Sequence, residues 1–355
     1  MTNLALLSAA HTHTRGYIND IGGRDSCRLV ALWDDVEDRG RRYAEEAGAD
    51  YSGNLGAVVA RDDVEGFVIC AENTRHLPLL EAAIPAGKPI FCEKPLATTA
   101  AEAKRAQALA IKHGTILHMG YFLPFSAQMQ GVLACVQSGR LGSITHVRYR
   151  NAHHAAYGHW FDKQDLRWFA DPELAGGGAF MDMGTHAVHL VRTLFGPTTE
   201  VLATIGNASG IYTAVDDHGL ALCRLESGAL ATIEASWVHT GGATGLEVTG
   251  SEGTICLNLE LGYVIAAPGV DPEPVPLLTE RPKMVERLLA AITGDLSEEE
   301  LQAEFMEIDE FIMKIIDNVG CLLKAHGAAA FPAFEETLLP LLQMMLAHRH
   351  VTLRH

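Results

Sequence analysis

Apolar and helical segments alternate along the first third of the chain. Short apolar runs predict strands at residues 4–8, 28–33, 66–70, 89–92 and 116–119. Between them, apolar residues recur near helical spacing, which predicts helices at residues 36–47, 74–86 and 99–113. Because strands joined by helices pair in parallel, the pattern predicts a doubly wound α/β domain of the Rossmann type over residues 1–121.

A different pattern begins after residue 120. Further elements are expected at residues 124–138 (a helix), 144–151 (a strand), and 220–225, 230–236, 246–249 and 254–259 (strands of two hairpins). The chain after Pro282 reads as mostly helical, and an amphipathic final helix at residues 334–348 is expected to pack back on the first domain. The second domain is therefore predicted to span residues 122–355 as an α+β unit with a large, mostly antiparallel sheet.

Composition agrees with a two-domain globular protein. A chain of 355 residues exceeds what one hydrophobic core usually supports. No apolar run approaches the roughly 20 residues that cross a bilayer, and the first residues carry no basic leader, so a cytoplasmic protein without membrane association is expected. The seven cysteines are scattered and read as reduced thiols. The formal charge of −17 argues against a nucleic-acid partner.

The turn after the first strand is where a Rossmann domain binds the diphosphate of its cofactor. Residues 8–13 read SAAHTH, so the glycine positions of Gly-x-Gly-x-x-Gly hold Ser8, Ala10 and His13. Small side chains at the first two positions still allow close approach, whereas His13 does not allow the tight helix packing that glycine permits. His11 and His13 could also bind a metal ion, but no third ligand is identifiable nearby. A structural or diphosphate-facing role is therefore favoured, and no metal site is predicted.

A carboxylate follows the second strand. Asp34 lies roughly 20 residues beyond the turn, where a carboxylate accepts hydrogen bonds from the ribose diol, which favours NAD over NADP. The alternative is a solvated loop acid, since Asp35, Glu37 and Asp38 are its neighbours.

The most specific local signal is at residues 86–97, AGKPIFCEKPLA, an apolar strand that delivers Glu93, Lys94 and Pro95 at its carboxyl end. Open parallel sheets bind ligands at that edge, and an ammonium there can hydrogen-bond a substrate hydroxyl. The alternative is a surface lysine before a proline turn.

Two further segments accompany this signal, VICAENTRH at residues 68–76 and AGGGAFMDMGTH at residues 175–186. In this order, the three segments resemble the Gfo/Idh/MocA family, the relatives of glucose-fructose oxidoreductase and inositol dehydrogenase. The resemblance implies an enzyme that transfers a hydride between a sugar or polyol hydroxyl and a nicotinamide cofactor. It also implies a homodimer or homotetramer that assembles through the outer face of the second-domain sheet.

The same resemblance implies which residues act. Cofactor contacts are expected from Ser8, Ala10, His11, His13, Asp34, Asn73, His76, Glu93 and Lys94. The catalytic group is Lys94, Asp182 and His186, with His186 as proton acceptor, Lys94 holding the same hydroxyl and Asp182 orienting the pair. The spacing of Asp182 and His186 places them on one face of a helix. The alternative for His186 is a satisfied core histidine.

The chain departs from the family pattern at three places. The altered glycine loop means that the diphosphate binds another way or shifts. His189 stands where relatives commonly carry an acid, and substrate contact or packing is favoured over a metal role. Residues 120–125 lack the arginine that many relatives carry, which predicts a less cationic pocket.

Residues 151–168 are rich in groups that stack on sugars or hydrogen-bond hydroxyls. The substrate candidates are Tyr157, His159, Arg167 and Trp168, together with His189. A solvated loop is the alternative for this segment.

Two other functions remain open. A bound nicotinamide that is recycled in each turnover supports elimination, epimerisation or glycoside hydrolysis through a transient ketone. Loss of the cofactor would leave a sugar-binding regulatory protein.

Overall fold

The computed structural model describes residues 1–282 and 284–296. The strands of the first sheet are β1 (Thr2–Leu7), β2 (Cys27–Trp33), β3 (Asp50–Ser52), β4 (Gly66–Ile69), β5 (Ile90–Cys92) and β6 (Leu117–Met119). They are all parallel, in the order β3-β2-β1-β4-β5-β6. The order reverses between β1 and β4, and open α/β sheets bind ligands in the crevice outside the strand ends at such a point.

Helices cover both faces of this sheet. They are α1 (Thr14–Gly22), α2 (Glu37–Ala47), α3 (Leu55–Val59), α4 (His76–Ala83) and α5 (Ala100–His113), and 3-10 turns flank α4 on both sides. The bounds of α5 follow from its caps: the Thr99 side chain accepts a hydrogen bond from the Glu102 amide, and Gly114 ends the helix at a φ of 65°.

The second domain is built on an eight-stranded sheet. Its strands are β7 (Ile144–Ala152), β8 (Thr198–Gly206), β9 (His218–Leu225), β10 (Leu230–Ser236), β11 (Gly245–Gly250), β12 (Thr254–Asn258), β13 (Gly262–Ala267) and β14 (Val270–Pro274). Their order is β14-β13-β12-β11-β7-β10-β9-β8, antiparallel except where β7 and β10 run parallel. Burial alternates along β9: Ala221 and Cys223 face the core, while Leu220 and Leu222 face outward.

The remaining helices are α6 (Ala127–Gln137), α7 (Pro172–Ala175), α8 (Thr185–Phe195) and α9 (Val285–Thr293). α8 lies on the inner face of the large sheet and is buried over most of its length. α9 returns to the first domain, where Val285 and Leu288 pack with Leu4, Tyr17 and Ile21. The final helix predicted at residues 334–348 lies outside the described residues.

The predicted fold class is confirmed: a parallel Rossmann sheet precedes a large, mostly antiparallel one. The predicted strand positions agree with the observed ones within two residues. Strands β3, β8, β13 and β14 were not predicted; β3 and β14 are short and polar, and β14 contains two of the chain's prolines. The proposed domain boundary at residues 121 and 122 falls between the last strand of one sheet and the first strand of the other.

Six cysteines fall within the described residues, where they are free thiols, five of them buried, and Cys321 lies outside. Within residues 1–282 and 284–296, no helix combines the length and the apolar character that a bilayer crossing requires.

Candidate active site

The loop of residues 8–13 leaves β1 at the crevice. Ser8 has a φ of 67°, in the left-handed region that favours glycine, so the first position of the altered motif keeps a glycine-like backbone. The His11 amide donates a hydrogen bond to the Cys70 carbonyl oxygen (2.9 Å), which ties the loop to the end of β4. Ser8, Ala10 and His11 are buried, whereas the His13 side chain is 42% exposed.

Asp34 is a buried carboxylate behind this loop. Its oxygens accept hydrogen bonds from the amides of Ala9 (2.8 Å) and Val36 (2.7 Å). Arg39 donates to both oxygens and also reaches Glu72 at 3.1 Å. Asp34 is therefore not a solvated loop acid: it supports the loop, and its expected bonds to the ribose diol stay a prediction.

Glu93 is a fully buried carboxylate at the end of β5. Its Oε1 accepts a hydrogen bond from the Tyr17 hydroxyl (2.5 Å) and lies 2.8 Å from His13 Nδ1 and 3.8 Å from His11 Nδ1. Burial alone would raise the pKa of Glu93, but interactions with the two histidines and with Lys94 hold it well below its ordinary value. Glu93 is thus a buried anion.

His11 and His13 meet at this anion. Burial lowers the pKa of His11 to about 3, so its imidazole is neutral. Each of the three side chains offers one ligand atom, and these atoms lie within 4.8 Å of one another. The expectation that the two histidines lack a third ligand is wrong, because the parallel sheet brings the end of β5 beside the loop after β1. Sequence distance hid this neighbour, since 80 residues separate Glu93 from His13.

Lys94 and Asp182 form a buried ion pair across the crevice. Lys94 Nζ donates to Asp182 Oδ1 (2.7 Å) and to the Asp182 carbonyl oxygen (3.2 Å). The Trp237 indole N–H donates to Asp182 Oδ2 at 3.0 Å. Burial would raise the pKa of Asp182, but the charge of Lys94 and these hydrogen bonds hold it far below its ordinary value. An ammonium has three N–H donors, so in the described part of the chain one remains for a substrate oxygen.

The glycine-rich segment before Asp182 is shaped by a second carboxylate. Asp216 accepts hydrogen bonds from the amides of Gly178 and Phe180, both at 2.8 Å. A Cβ on Gly178 would lie 1.9 Å from the Asp216 carbonyl oxygen, so only glycine fits there. Residues Phe180–Gly184 then form a π-helical turn before α8 begins at Thr185. Asp182 and His186 are thus on one continuous helical segment, as expected, but a π turn precedes the α-helix, and such turns are frequent at functional sites.

His186 lies in the first turn of α8, edge-on to the rings of Tyr121 and Phe122. Its Nδ1 is buried and has no hydrogen-bond partner among the described residues. Burial, followed by the charge of Lys94, lowers the pKa of His186 well below its ordinary value. The imidazole is therefore neutral and able to accept a proton. An unpartnered Nδ1 does not fit a satisfied core histidine.

Asn73 and His76 join the two halves of the crevice. The Asn73 side-chain amide donates to the Ala175 carbonyl oxygen (2.8 Å). The His76 ring is fully buried, with its nitrogens 2.7 Å from the Pro95 carbonyl oxygen and 3.2 Å from that of Ala71. Both residues hold the segments that carry Lys94 and the glycines, and direct cofactor contact stays a prediction for them.

The structure separates the substrate candidates. Tyr157, His159 and Arg167 are exposed, and His159 Nδ1 lies 3.2 Å from an Asp162 carboxylate oxygen. His189 is buried on α8 and stacks on Tyr121, with ring centroids 4.4 Å apart. Three of these four residues are thus at the surface, whereas His189 is in the interior.

Trp168, the fifth candidate, lies on the cofactor loop instead. Its indole N–H donates to the Ala10 carbonyl oxygen (3.0 Å), and its ring centroid is 6.0 Å from that of His11. Phe169 stacks on Trp168 and also lies against His11. The second domain therefore covers the loop where the diphosphate is expected.

Sequence reasoning missed Tyr17, Arg39 and Trp237. Tyr17 follows His13 by four residues, one helical turn, which is a signal that could have been used. Nothing near Trp237 in the sequence points to Asp182, since they meet only through the large sheet.

The fold implies a nicotinamide dinucleotide cofactor. Buried polar atoms without a hydrogen-bond partner show whether the loop of residues 8–13 can bind its diphosphate. The buried hydroxyls of Ser8 and Thr14 have no hydrogen-bond partner among the described residues. Phosphate oxygens accept from such donors, and the start of α1 adds backbone N–H groups. These donors fit the phosphate oxygens of the cofactor.

Two family models match consecutive parts of this chain. The family model described as "Oxidoreductase family, NAD-binding Rossmann fold" matches residues 7–121, and the one described as "GFO/IDH/MocA C-terminal domain" matches residues 129–256. The 1,5-anhydro-D-fructose reductase of Ensifer adhaerens is 27% identical over 68% of this chain and 70% of its own. Inositol 2-dehydrogenase 1 of Saccharopolyspora erythraea is 28% identical over 70% of this chain and 72% of its own.

Among solved structures, a levoglucosan dehydrogenase in complex with NADH and L-sorbose shares the fold. Its TM-score is 0.69 at 18% identity, over 91% of this chain and 97% of that one. The two family models describe consecutive domains of one family and together cover about two thirds of the sequence. The protein therefore belongs to the Gfo/Idh/MocA family of NAD-binding oxidoreductases.

Proposed function

We propose that this protein oxidises a secondary hydroxyl of a sugar or polyol with NAD, or runs the reverse reduction. The observation that carries the proposal is the buried Lys94–Asp182 ion pair at 2.7 Å beside the neutral His186. An ammonium donor and an unpartnered imidazole are what the oxidation of an alcohol needs from the protein. The related anhydrofructose reductase and inositol dehydrogenase act on compounds of this class.

The roles follow from the contacts. Asp182 fixes the Lys94 ammonium, so that its remaining N–H group holds the substrate hydroxyl oxygen. His186 accepts the hydroxyl proton on its unpartnered Nδ1. Bound nicotinamide supplies the hydride acceptor at its C4 position. Burial of this group excludes water, which strengthens each of these charge interactions.

Preference for NAD over NADP is proposed from the surroundings of Asp34. A carboxylate at the end of β2 suits a ribose diol and repels a 2′-phosphate. Arg39 lies beside Asp34, but its guanidinium also pairs with Asp35 and Glu72. With three carboxylates around it, Arg39 is a poor phosphate ligand.

The proposal is tested by two measurements on the purified protein. NADH and NADPH are titrated by calorimetry, and a panel of polyols and sugars is assayed for NADH formation by absorbance. Tighter binding of NADH and net reduction of NAD by at least one polyol are expected. Absence of binding of either cofactor would overturn the proposal and favour a sugar-binding regulatory protein.

A second candidate is a lyase, epimerase or glycosidase that recycles its bound cofactor. The observation that favours it is the cover of Trp168 and Phe169 over the cofactor loop, which would slow release of the cofactor. In that case the protein binds NADH and converts the sugar, but no net NADH forms.

We further propose a cytoplasmic homodimer or homotetramer. The outer face of the large sheet exposes four leucines on neighbouring strands: Leu202, Leu220, Leu222 and Leu230. Such a patch is typical of a subunit interface. Size-exclusion chromatography with light scattering measures the assembly.

A further inference from the structure

No lysine or arginine side chain forms an ion pair with the buried Glu93 in the described part of the chain. Among the described residues, its only charge partners within 4.0 Å are His11 and His13. The hydroxyl of Tyr17 donates a hydrogen bond to Glu93 without adding charge. Lys94 donates to Glu93 through its backbone amide, while its ammonium is paired with Asp182. A buried carboxylate without a matched cation is costly unless a ligand completes it.

The distances around Glu93 are close to those of a metal site, and separations of up to 4.8 Å within the group mean that a bound ion would draw the side chains together. Two ligands at about 2.1 Å from one ion lie about 3.0 to 3.4 Å apart in octahedral or tetrahedral geometry. The observed Glu93 Oε1 separations, 2.8 Å to His13 Nδ1 and 3.8 Å to His11 Nδ1, bracket that range. The His13 amide makes a long contact (3.2 Å) with His11 Nδ1, which an ion on that atom would replace. The other nitrogen of His11, Nε2, is buried without a partner among the described residues.

We propose that His11, His13 and Glu93 bind one divalent transition-metal ion of the Zn²⁺, Co²⁺ or Mn²⁺ class. Two imidazoles and one carboxylate favour these ions over Mg²⁺ or Ca²⁺, which prefer oxygen ligands. The half-exposed His13 side chain provides an entry path from solvent. Three protein ligands leave at least one coordination position for a water molecule or another ligand.

The site explains why histidines replace residues of the glycine loop. His13 stands at the third glycine position, and its side chain reaches Glu93 in place of close helix packing. The ion site goes beyond the proposed dehydrogenase reaction, and its three residues are also among those expected to contact the cofactor.

The test is metal binding to the full-length protein without cofactor or substrate. Protein stripped with a chelator is titrated with Co²⁺, followed by its visible absorption, and with Zn²⁺, followed by calorimetry. One equivalent per chain is expected. His11→Ala and His13→Ala should each weaken binding at least about tenfold to a hundredfold, since even outer-shell changes reach that range. His113→Ala, the same substitution at an exposed position on α5, should bind as the unaltered protein does.

Circular dichroism and thermal unfolding verify the fold of each variant. If the His11→Ala variant does not fold, the His13→Ala variant decides the question, because the half-exposed His13 contributes less to packing. Absence of Co²⁺ and Zn²⁺ binding by the folded, unaltered protein would overturn the proposal. Equal binding by the His13→Ala variant would also overturn it, because the ion would then lie elsewhere. NADH titration of the metal-free protein is a separate measurement, so a failure of the proposed function and a failure of the ion site are distinguishable.

Discussion

The two ends of the crevice hold their charged groups in different ways. At the catalytic end, Lys94 meets Asp182 at 2.7 Å, and Trp237 satisfies the second carboxylate oxygen. At the loop end, Glu93 is equally buried but faces two imidazoles and a phenol. The first end carries its own countercharge and keeps the family motif. The second has lost the glycine motif and contains a carboxylate that the described residues do not neutralise with a full cation.

This comparison distinguishes residues that the reaction itself requires from residues that only hold a ligand and can therefore differ between relatives. The proposed hydride transfer needs a donor and a base at set places, and Lys94 and His186 are the residues proposed for these roles. A diphosphate can be held by several kinds of donor, so the loop tolerates Ser8 and His13. Each end can be perturbed separately.

The largest effect is expected at the catalytic end. Lys94→Ala removes the donor that holds the substrate hydroxyl, and turnover with the best polyol should fall by about 10²- to 10⁴-fold. Steady-state kinetics measure the change, with Lys112→Ala, at an exposed position on α5, as the matched control. Near-normal turnover in the Lys94 variant would reject the assigned role.

Loss of Lys94 leaves Asp182 buried without its partner, which can lower stability. The double variant Lys94→Ala with Asp182→Asn removes that unpaired charge. It should fold at least as well as the single variant and remain inactive. Recovery of activity in the double variant would mean that Lys94 serves only to neutralise Asp182.

The sequence predicted the parallel sheet of the first domain and the separation of the two sheets, because buried parallel strands and hairpins leave strong periodic signals. It also placed Lys94 and Asp182 in one site, through motifs whose spacing the resemblance interprets. Their contact at 2.7 Å agrees with that expectation.

What the sequence did not predict depends on tertiary contacts. Glu93 joins His11 and His13 only because β5 lies two strands away from β1. Trp168 was expected against a substrate, yet it covers the loop, since a long connection after β7 folds onto the first domain. No local pattern in residues 151–168 indicates that this connection packs against the first domain.

A smaller effect, on the free energy of unfolding, is expected at Asp217, where the large sheet supports the catalytic end. Asp217 is fully buried, and its carboxylate accepts hydrogen bonds from the amides of Ala208 and Ser209 and contacts His218 Nδ1 at 2.8 Å. Its carbonyl oxygen accepts from the Trp237 amide. Burial would raise the pKa of Asp217, but His218 and the amides lower it to about 2. Because the folded pKa is depressed, the stabilisation is present above the unfolded pKa of about 4 and is lost as pH falls through about 2.

Asp217→Asn keeps the side-chain shape but removes this charge, so the free energy of unfolding should drop by about 1–2 kcal/mol near neutral pH. Urea unfolding followed by circular dichroism measures the difference at several pH values. The gap between the two proteins should close as pH falls from about 4 towards 2. A gap that stays constant with pH would show that the carboxylate charge is not the stabilising feature.

The smallest effect, on the affinity for NADH, is expected at the loop end. Trp168→Phe keeps an aromatic ring against His11 and Phe169 but removes the N–H donated to the Ala10 carbonyl oxygen. One such bond contributes about 0.5–1.5 kcal/mol net, so a cofactor that must displace it should bind about two- to tenfold more tightly to the variant. Calorimetric titration of NADH measures the ratio, and Trp160→Phe, at a more exposed indole on the same segment, is the control. Weaker binding in the Trp168 variant would mean that this indole contacts the cofactor instead of covering its loop, and the two ends of the crevice would then both be built for direct ligand contact.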